Sequence, residues 1–445
     1  MTMIALGGVI GAGLFVGSRV VIRSAGPAAA VSFLITGALV ILVMRMLGEM
    51  AAALPATGSF YEYARSALGD FAGFLTGWMY WYFWVIVVAI EAIAGADLIR
   101  FWLPGAHQWA LAALLLGAMT LSNLLSVRAY GEFEFWFASI KVAAIVIFLV
   151  VGTCFVAGVW PGWTPHVVNL TAHGGFMPNG LLPVLTGAVA ATGFYFGAEI
   201  VTIAAAEAKE PAIAVARATS SVIGRVLLFY VGSILLVVCI VPWNAKGIAT
   251  PYVSALSVIG IPGAAHAMNA VILTAVLSAL NSGLYASSRM LFALTRHGDA
   301  PAVLAKINAR GVPVPAILAG TVVGFGAVVM SYVSPGVVFA FLINSYGTVA
   351  IFVYLLIAVS ELRLRRRLER EAPEKLIVRM WAFPYLTYVA IAGMIGILAA
   401  MAFIPDQQAP LAMGVGSLAA LAAAYGIRRG LRGRVSDRSS VAPES

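Results

Sequence analysis

The chain has 445 residues, 62% of them hydrophobic and only 10% charged, against roughly a quarter charged in soluble domains, which excludes a water-soluble globular protein. Its net charge of +9 would suit a nucleic-acid partner, but the Lys and Arg lie at the ends of apolar runs, which argues against that class too. The apolar runs are long and unbroken rather than alternating over about ten residues, which predicts membrane-spanning helices, not an outer-membrane barrel.

Hydropathy predicts twelve spans, near residues 3–22, 28–52, 72–100, 108–126, 134–158, 181–205, 221–242, 264–294, 314–332, 336–360, 382–403 and 410–427. The first is too long for a signal peptide and lacks a cleavage pattern, so it stays in the mature protein. Within it, Gly7-Gly8-Val9-Ile10-Gly11-Ala12-Gly13 places four glycines in seven positions. A span needs ~20 residues, and one so rich in glycine unwinds in its middle. Unpaired backbone at that depth is tolerated only where it faces protein or a cavity, so the break points to a midplane binding site. Ile10 and Gly11 belong to this break, and the N–H groups of Ala12 and Gly13 are the expected donors to an anionic group of a substrate. The alternative is close helix packing through small residues.

The third span holds Glu91 in its outer half, where it either gates the outer vestibule, contacts a substrate amine, or bonds a neighbouring helix. Asp97 and Arg100, three apart near the end of that span, read as a surface pair. The aromatics Trp78, Tyr80, Trp81, Tyr82, Phe83 and Trp84 read as packing and interface anchors rather than a ligand cage. Glu132 and Glu134, at the inner mouth of the fifth span, suit a solvated rim. Lys141, about ten residues or ~15 Å into that span, is either a structural cation or a site that loses its proton when dry; in both readings it can fill the space of a coupling sodium ion.

The sixth span breaks as the first does: Ala191-Thr192-Gly193-Phe194-Tyr195-Phe196-Gly197-Ala198-Glu199 combines two glycines, three successive aromatics and a carboxylate. Glu199, just past the break, either exchanges a proton or makes a helix-stabilising hydrogen bond. Two interrupted spans, five apart, imply two five-span repeats of inverted topology with two further spans appended. In the eighth span, Asn281 and Ser282 either meet the first span, where sodium sits in sodium-coupled proteins of this architecture, or pack as interhelical polar groups.

Of the 27 Lys and Arg, only Arg19, Arg23, Arg100 and Lys246 fall on the outer side when both termini are placed in the cytoplasm, and the positive-inside rule selects that orientation. The expected units are a ten-helix inverted-repeat core at 1–360, a basic cytoplasmic loop at 361–381, two additional helices at 382–427 and a disordered cytoplasmic tail at 428–445. The run Glu361-Leu362-Arg363-Leu364-Arg365-Arg366-Arg367 sets topology or holds anionic headgroups. Cys154 and Cys239 read as core residues without a disulfide. The five histidines, His107, His166, His173, His266 and His297, are too scattered for a metal site. No cofactor is expected: Gly7 to Gly13 is not a dinucleotide fingerprint, since no strand precedes it, and no catalytic arrangement is found, so the chain is not read as an enzyme.

Several stretches resemble the amino-acid permeases of the amino acid–polyamine–organocation superfamily: Met3 to Phe15, Leu47-Gly48-Glu49-Met50, Thr57-Gly58-Ser59-Phe60 and Gly197-Ala198-Glu199-Ile200-Val201. Within that group, Asn123-Leu124-Leu125-Ser126, Tyr130 to Trp136, Gly175 to Gly180 and Gly298-Asp299-Ala300-Pro301 look most like bacterial γ-aminobutyrate (GABA) permeases. The resemblance implies an all-α integral protein of the bacterial inner membrane that imports a small amino acid by proton symport, γ-aminobutyrate being the best single substrate. Permeases for proline, aromatic or other neutral amino acids, and a non-transporting sensor, are the alternatives. It implies the substrate carboxylate at Gly11 to Gly13 and the amine at carbonyls of Gly193, Phe194, Tyr195 and Phe196. It also places Glu199 on the acid linked to proton-dependent gating and Lys141 on the lysine that replaces sodium in proton-coupled members. Family members carry a cytoplasmic segment before the first span, whereas only Met1 and Thr2 precede it here, which reads as a shortened or misassigned start.

Overall fold

In a bilayer every backbone N–H and C=O must find a partner within the chain, so long apolar runs fold as helices. The computed structural model describes residues 10–56, 59–125, 128–159, 167–199, 227–245, 248, 250–308 and 311–439. Gly7, Gly8, Thr57, Gly58, Ser126, His166, Ile200, Val201 and Lys246 lie outside the described residues. All regular elements there are helical, with no strand among the described residues. They are α1 (Ser18–Ala25), α2 (Ala29–Ala53), α3 (Phe60–Leu68), α4 (Asp70–Arg100), α5 (Gln108–Leu125), α6 (Arg128–Val156) and α7 (Leu181–Tyr195). After these come α8 (Ser233–Ile240), α9 (Pro251–Ile259), α10 (Ala264–Arg296), α11 (Val314–Val333), α12 (Pro335–Glu371), α13 (Tyr385–Ala402) and α14 (Pro405–Ser439).

Among the described residues, eight helices are long and apolar enough to cross a membrane; one of them, Gly13–Ala53, takes in the end of the first expected span and all of the second. Between α1 and α2 the chain turns at Gly26, whose φ of 66° favours glycine. The stretches 108–124, 181–195 and 228–240 are apolar but shorter; the second is short because the helix stops at Tyr195, inside the expected sixth span.

The most extensive packing joins α4 to α10. They run antiparallel: Asn269 near the start of α10 donates to the carbonyl of Leu98 at 2.8 Å, while a Cβ at Gly77 near the start of α4 would lie 2.7 Å from Leu294. Beside this pair, α2 and α7 run parallel, with the Ser32 hydroxyl on the Val184 carbonyl (2.7 Å) and that of Thr36 on the Ala188 carbonyl (3.0 Å). Helix α12 packs on α7, α4, α3 and α2. It sits against α7 at Gly347, where any Cβ would lie 2.1 Å from the Val189 carbonyl oxygen, so this crossing requires glycine.

Two polar clusters tie the far ends together. Glu49 of α2, almost fully buried, accepts from the Arg365 guanidinium of α12 and from the Met380 N–H ahead of α13. Asp299, just beyond α10, accepts from the Tyr61 hydroxyl (2.8 Å) and pairs with Arg65 of α3 and Arg428 of α14. Burial and then the Asp299 carboxylate raise the Tyr61 phenol above its ordinary range, so it stays the donor. These contacts amend two expected boundaries. The basic run from Glu361 continues α12 through Glu371, with Leu364 and Leu368 buried and the pairs Arg365–Glu369 and Arg367–Glu371 flanking them. The stretch expected to be disordered from 428 is helical through Ser439, with Arg428 anchored to Asp299.

Candidate functional site

Of the first expected break, the described residues begin at Ile10. Gly11 is non-helical, and Gly13–Gly17 forms a single π-type turn before α1 begins; such turns interrupt the regular ladder. Ile10 and Ala12 are fully buried. The glycines here make room for specific neighbours. A Cβ on Gly11 would lie 2.6 Å from Glu91 Oε1, one on Gly13 2.5 Å from Phe194 Cδ1, and one on Gly17 2.9 Å from the same ring. The packing reading of this stretch is present in the structure, since the small residues admit Glu91 and Phe194.

The second break follows α7. Phe196 is extended (φ −66°, ψ 140°) and Gly197 has φ 111°, so the helix ends and the Gly197 N–H turns onto the Glu199 carboxylate, at 3.0 and 2.8 Å from its two oxygens. Glu199 is fully buried, and the Tyr80 hydroxyl is a further hydrogen-bond partner. The Phe194 carbonyl accepts from the Tyr230 hydroxyl at 2.7 Å, and the Tyr195 hydroxyl reaches across to the Phe33 carbonyl at 3.0 Å. Gly193 lies under the Tyr346 ring, where a Cβ would come within 2.5 Å. Phe196 packs on Phe83 with ring centroids 4.1 Å apart, and Phe83 stacks on Tyr346 at 5.3 Å.

The two breaks meet: α1 and the π-type turn both pack on α7, and Phe194 fills the gap beside Gly13 and Gly17. On the opposite side of the first break, the Ala12 N–H donates to both oxygens of Glu91, at 3.0 and 3.1 Å. Glu91 thus bonds the backbone of the first expected break. Lys141 is fully buried on α6 and donates to Ser278 Oγ of α10 at 2.9 Å, and its charge acts on Glu91. Glu91, Ala12, Lys141 and Ser278 therefore form one cluster that links α4, α6 and α10 to the first break.

Asn281 does not face that break. Its amide oxygen accepts from Asn123 of α5 at 2.6 Å, and it is Ala279 whose Cβ would lie 3.0 Å from a Cβ on Gly11. Two residues along a helix turn the side chain by about 200°, so Ala279 and Asn281 point to opposite sides. Ser282, buried and one turn beyond Ser278, shares the face of the cluster. Asp97 pairs with Arg100 (3.8 Å) as expected, but also with Arg19 (3.7 Å), which ties α1 to α4. Tyr230, Tyr346 and Ser278 were not singled out in the sequence, where no local pattern marks them; the small residue beside Tyr346, Gly347, is the nearest signal. No group of His, Cys, Asp and Glu suited to a metal occurs among the described residues. A cavity of about 480 Å³ beside α1, α7, α12 and α14, lined in part by Ser24, Gly187, Asn344 and Asp406, includes none of the residues above.

Apolar helices of membrane-crossing length, with no strand among the described residues, define a helical integral membrane protein. The profile of the family described as amino acid permease matches residues 1–427, and the chain belongs to that family. It is 52% identical over 410 residues to the gamma-aminobutyric acid permease of Bacillus subtilis strain 168, covering 92% of this chain and 87% of that protein. To the gamma-aminobutyric acid permease of Escherichia coli K12 it is 47% identical over 411 residues, 92% and 88% of the two chains. It is also 40% identical over 407 residues to an aromatic amino acid transport protein of Corynebacterium glutamicum, covering 89% and 88%.

Proposed function

We propose that this permease imports γ-aminobutyrate together with a proton, through a site formed by its two backbone breaks. The observation that supports the reading is the contact between the two stretches: the π-type turn packs on α7, and the Phe194 ring fills the space beside Gly13 and Gly17. Such a pair suits a small zwitterion, its carboxylate at the N–H groups of Gly11 to Gly13 and its amine at the carbonyls of Gly193 to Phe196. The carbonyl of Phe194, with two lone pairs and one bond to Tyr230, retains capacity for an amine. The names of two relatives, at 52% and 47% identity, favour γ-aminobutyrate over other amino acids.

Lys141, bonded to Ser278, supplies a fixed positive charge beside the first break where a sodium-coupled protein would hold its ion. Glu199, sealing the second break through Gly197, is the acid whose proton governs the conformational step. Twelve spans in two inverted five-span repeats plus two appended helices, with both termini in the cytoplasm of a bacterial inner membrane, complete the reading; the Arg-rich end of α12 supports that orientation. The test is uptake of labelled γ-aminobutyrate by the purified protein in liposomes, with proline and phenylalanine as competitors. Saturable uptake that excess proline and phenylalanine leave intact is expected. Phenylalanine uptake with no γ-aminobutyrate uptake would reassign the substrate.

A further inference from the structure

The amide that the proposed site reserves for a substrate carboxylate already holds a carboxylate of the protein. Both Glu91 oxygens lie within hydrogen-bond reach of the one Ala12 N–H, at 3.0 and 3.1 Å. The two oxygens thus share that one donor. Two separate parts of the sequence are shaped to this contact. Gly11 leaves out the Cβ that would sit 2.6 Å from Glu91 Oε1, and α4 delivers the side chain from the middle of its most tightly packed stretch, where Glu91 is 4% exposed. The groups that act on Glu91 are few. Lys141 of α6 attracts it, and two neutral phenols, Tyr230 and Tyr346 of α12, lie near enough to sense its charge.

We propose that Glu91 is a built-in stand-in for the substrate carboxylate: it occupies the Ala12 N–H while the site is empty, yields it to the incoming substrate, and takes up a proton from water as it leaves. The inference rests on the proposed transport function and deepens it. The reason for the proton lies in the shared donor. Once the substrate carboxylate takes the Ala12 N–H, Glu91 is left buried without that donor, which disfavours its charged form. A proton from solvent then binds there: the hydrogen bond from the Ala12 N–H to Glu91 breaks, an O–H bond forms on Glu91, and the N–H bonds the substrate carboxylate. Substrate binding then carries one proton with it, and affinity falls toward tenfold per pH unit wherever the empty site holds Glu91 charged.

The experiment is calorimetric titration of γ-aminobutyrate into the full chain in lipid nanodiscs across pH 6.5–9.5, in buffers of different ionisation enthalpy so that protons taken up are counted. At the alkaline end of that range the wild type is expected to approach a tenfold loss of affinity per pH unit and uptake of one proton. Glu91→Gln, which cannot titrate, is expected to lose both and to bind at least tenfold more tightly than wild type at pH 9.5. Retention of the pH slope and of proton uptake by Glu91→Gln would overturn the proposal while leaving the transport reading in place. Absence of binding by the wild type would take down the transport reading and this one with it. Should Glu91→Gln fail to fold, Glu91→Asp decides. Its shorter arm draws away from Ala12, so tighter binding with the pH slope retained is expected, and unchanged affinity would overturn the proposal.

Discussion

Replacing Gly13 by alanine tests the meeting of the two breaks at its tightest point. The new Cβ would fall 2.5 Å from Phe194 Cδ1, 3.0 Å from the Tyr346 hydroxyl and 3.1 Å from Phe194 Cγ, about 1 Å inside the 3.5–4.0 Å optimum for carbon pairs. The ring has little room to retreat: Gly17 lies on the same ring, Phe33 stacks on it at 5.8 Å and 26°, and Tyr346 packs at 5.9 Å. The backbone is pinned as well, through Tyr230 on the Phe194 carbonyl. Forcing one methyl into so full a space costs roughly 1–3 kcal/mol. If that falls on the binding-competent arrangement, it corresponds to about 5–150-fold in affinity. The assay is γ-aminobutyrate affinity alongside thermal unfolding for Gly13→Ala, Phe194→Leu and the double variant. Since Phe194→Leu removes the atom in the way, the double variant should recover, with a coupling of about 0.5–3 kcal/mol between the two sites. Wild-type affinity and stability in Gly13→Ala, or strict additivity in the cycle, would refute the reasoning.

Two other substitutions probe the ends of the bundle. Glu49→Ala leaves the Arg365 guanidinium and the Met380 N–H without their buried acceptor. It should lower stability by about 3–5 kcal/mol, read as a drop in melting temperature in detergent; an unchanged melting temperature would contradict the role given to this pair. Asp299→Asn removes the charge on which Arg65 of α3 and Arg428 of α14 converge. Faster proteolytic cleavage within the last turns of α14 is expected, and cleavage at the wild-type rate would show that the contact does not hold that helix.

The sequence showed the breaks because they are written locally. Four glycines in one apolar run, and glycine, three aromatics and a carboxylate in another, contradict the helix that hydropathy demands, and such conflict marks a site. It also showed Lys141, Glu91 and Glu199, since a charge within an apolar run stands out against its neighbours. Which way they point was not legible. Asn281 and Ala279 differ by about 200° around one helix, and α10 has no strong polar face to set that phase. Contacts made across the bundle leave no local mark either: the Tyr230 hydroxyl on the Phe194 carbonyl joins an otherwise ordinary aromatic to the second break. The end of the chain misled in the opposite sense. Its basic, polar composition reads as solvated, yet Arg428 belongs to a cluster whose other members lie on α3 and just beyond α10.

The central claim, proton-driven movement of a small amino acid through the two-break site, is tested most directly in liposomes. Accumulation of labelled γ-aminobutyrate is followed with a proton gradient or a sodium gradient imposed alone, for the wild type and Glu199→Gln. The account predicts accumulation by the wild type under the proton gradient only, and none by Glu199→Gln, although that variant still binds substrate. Accumulation driven by sodium and indifferent to pH, or undiminished accumulation in Glu199→Gln, would contradict it.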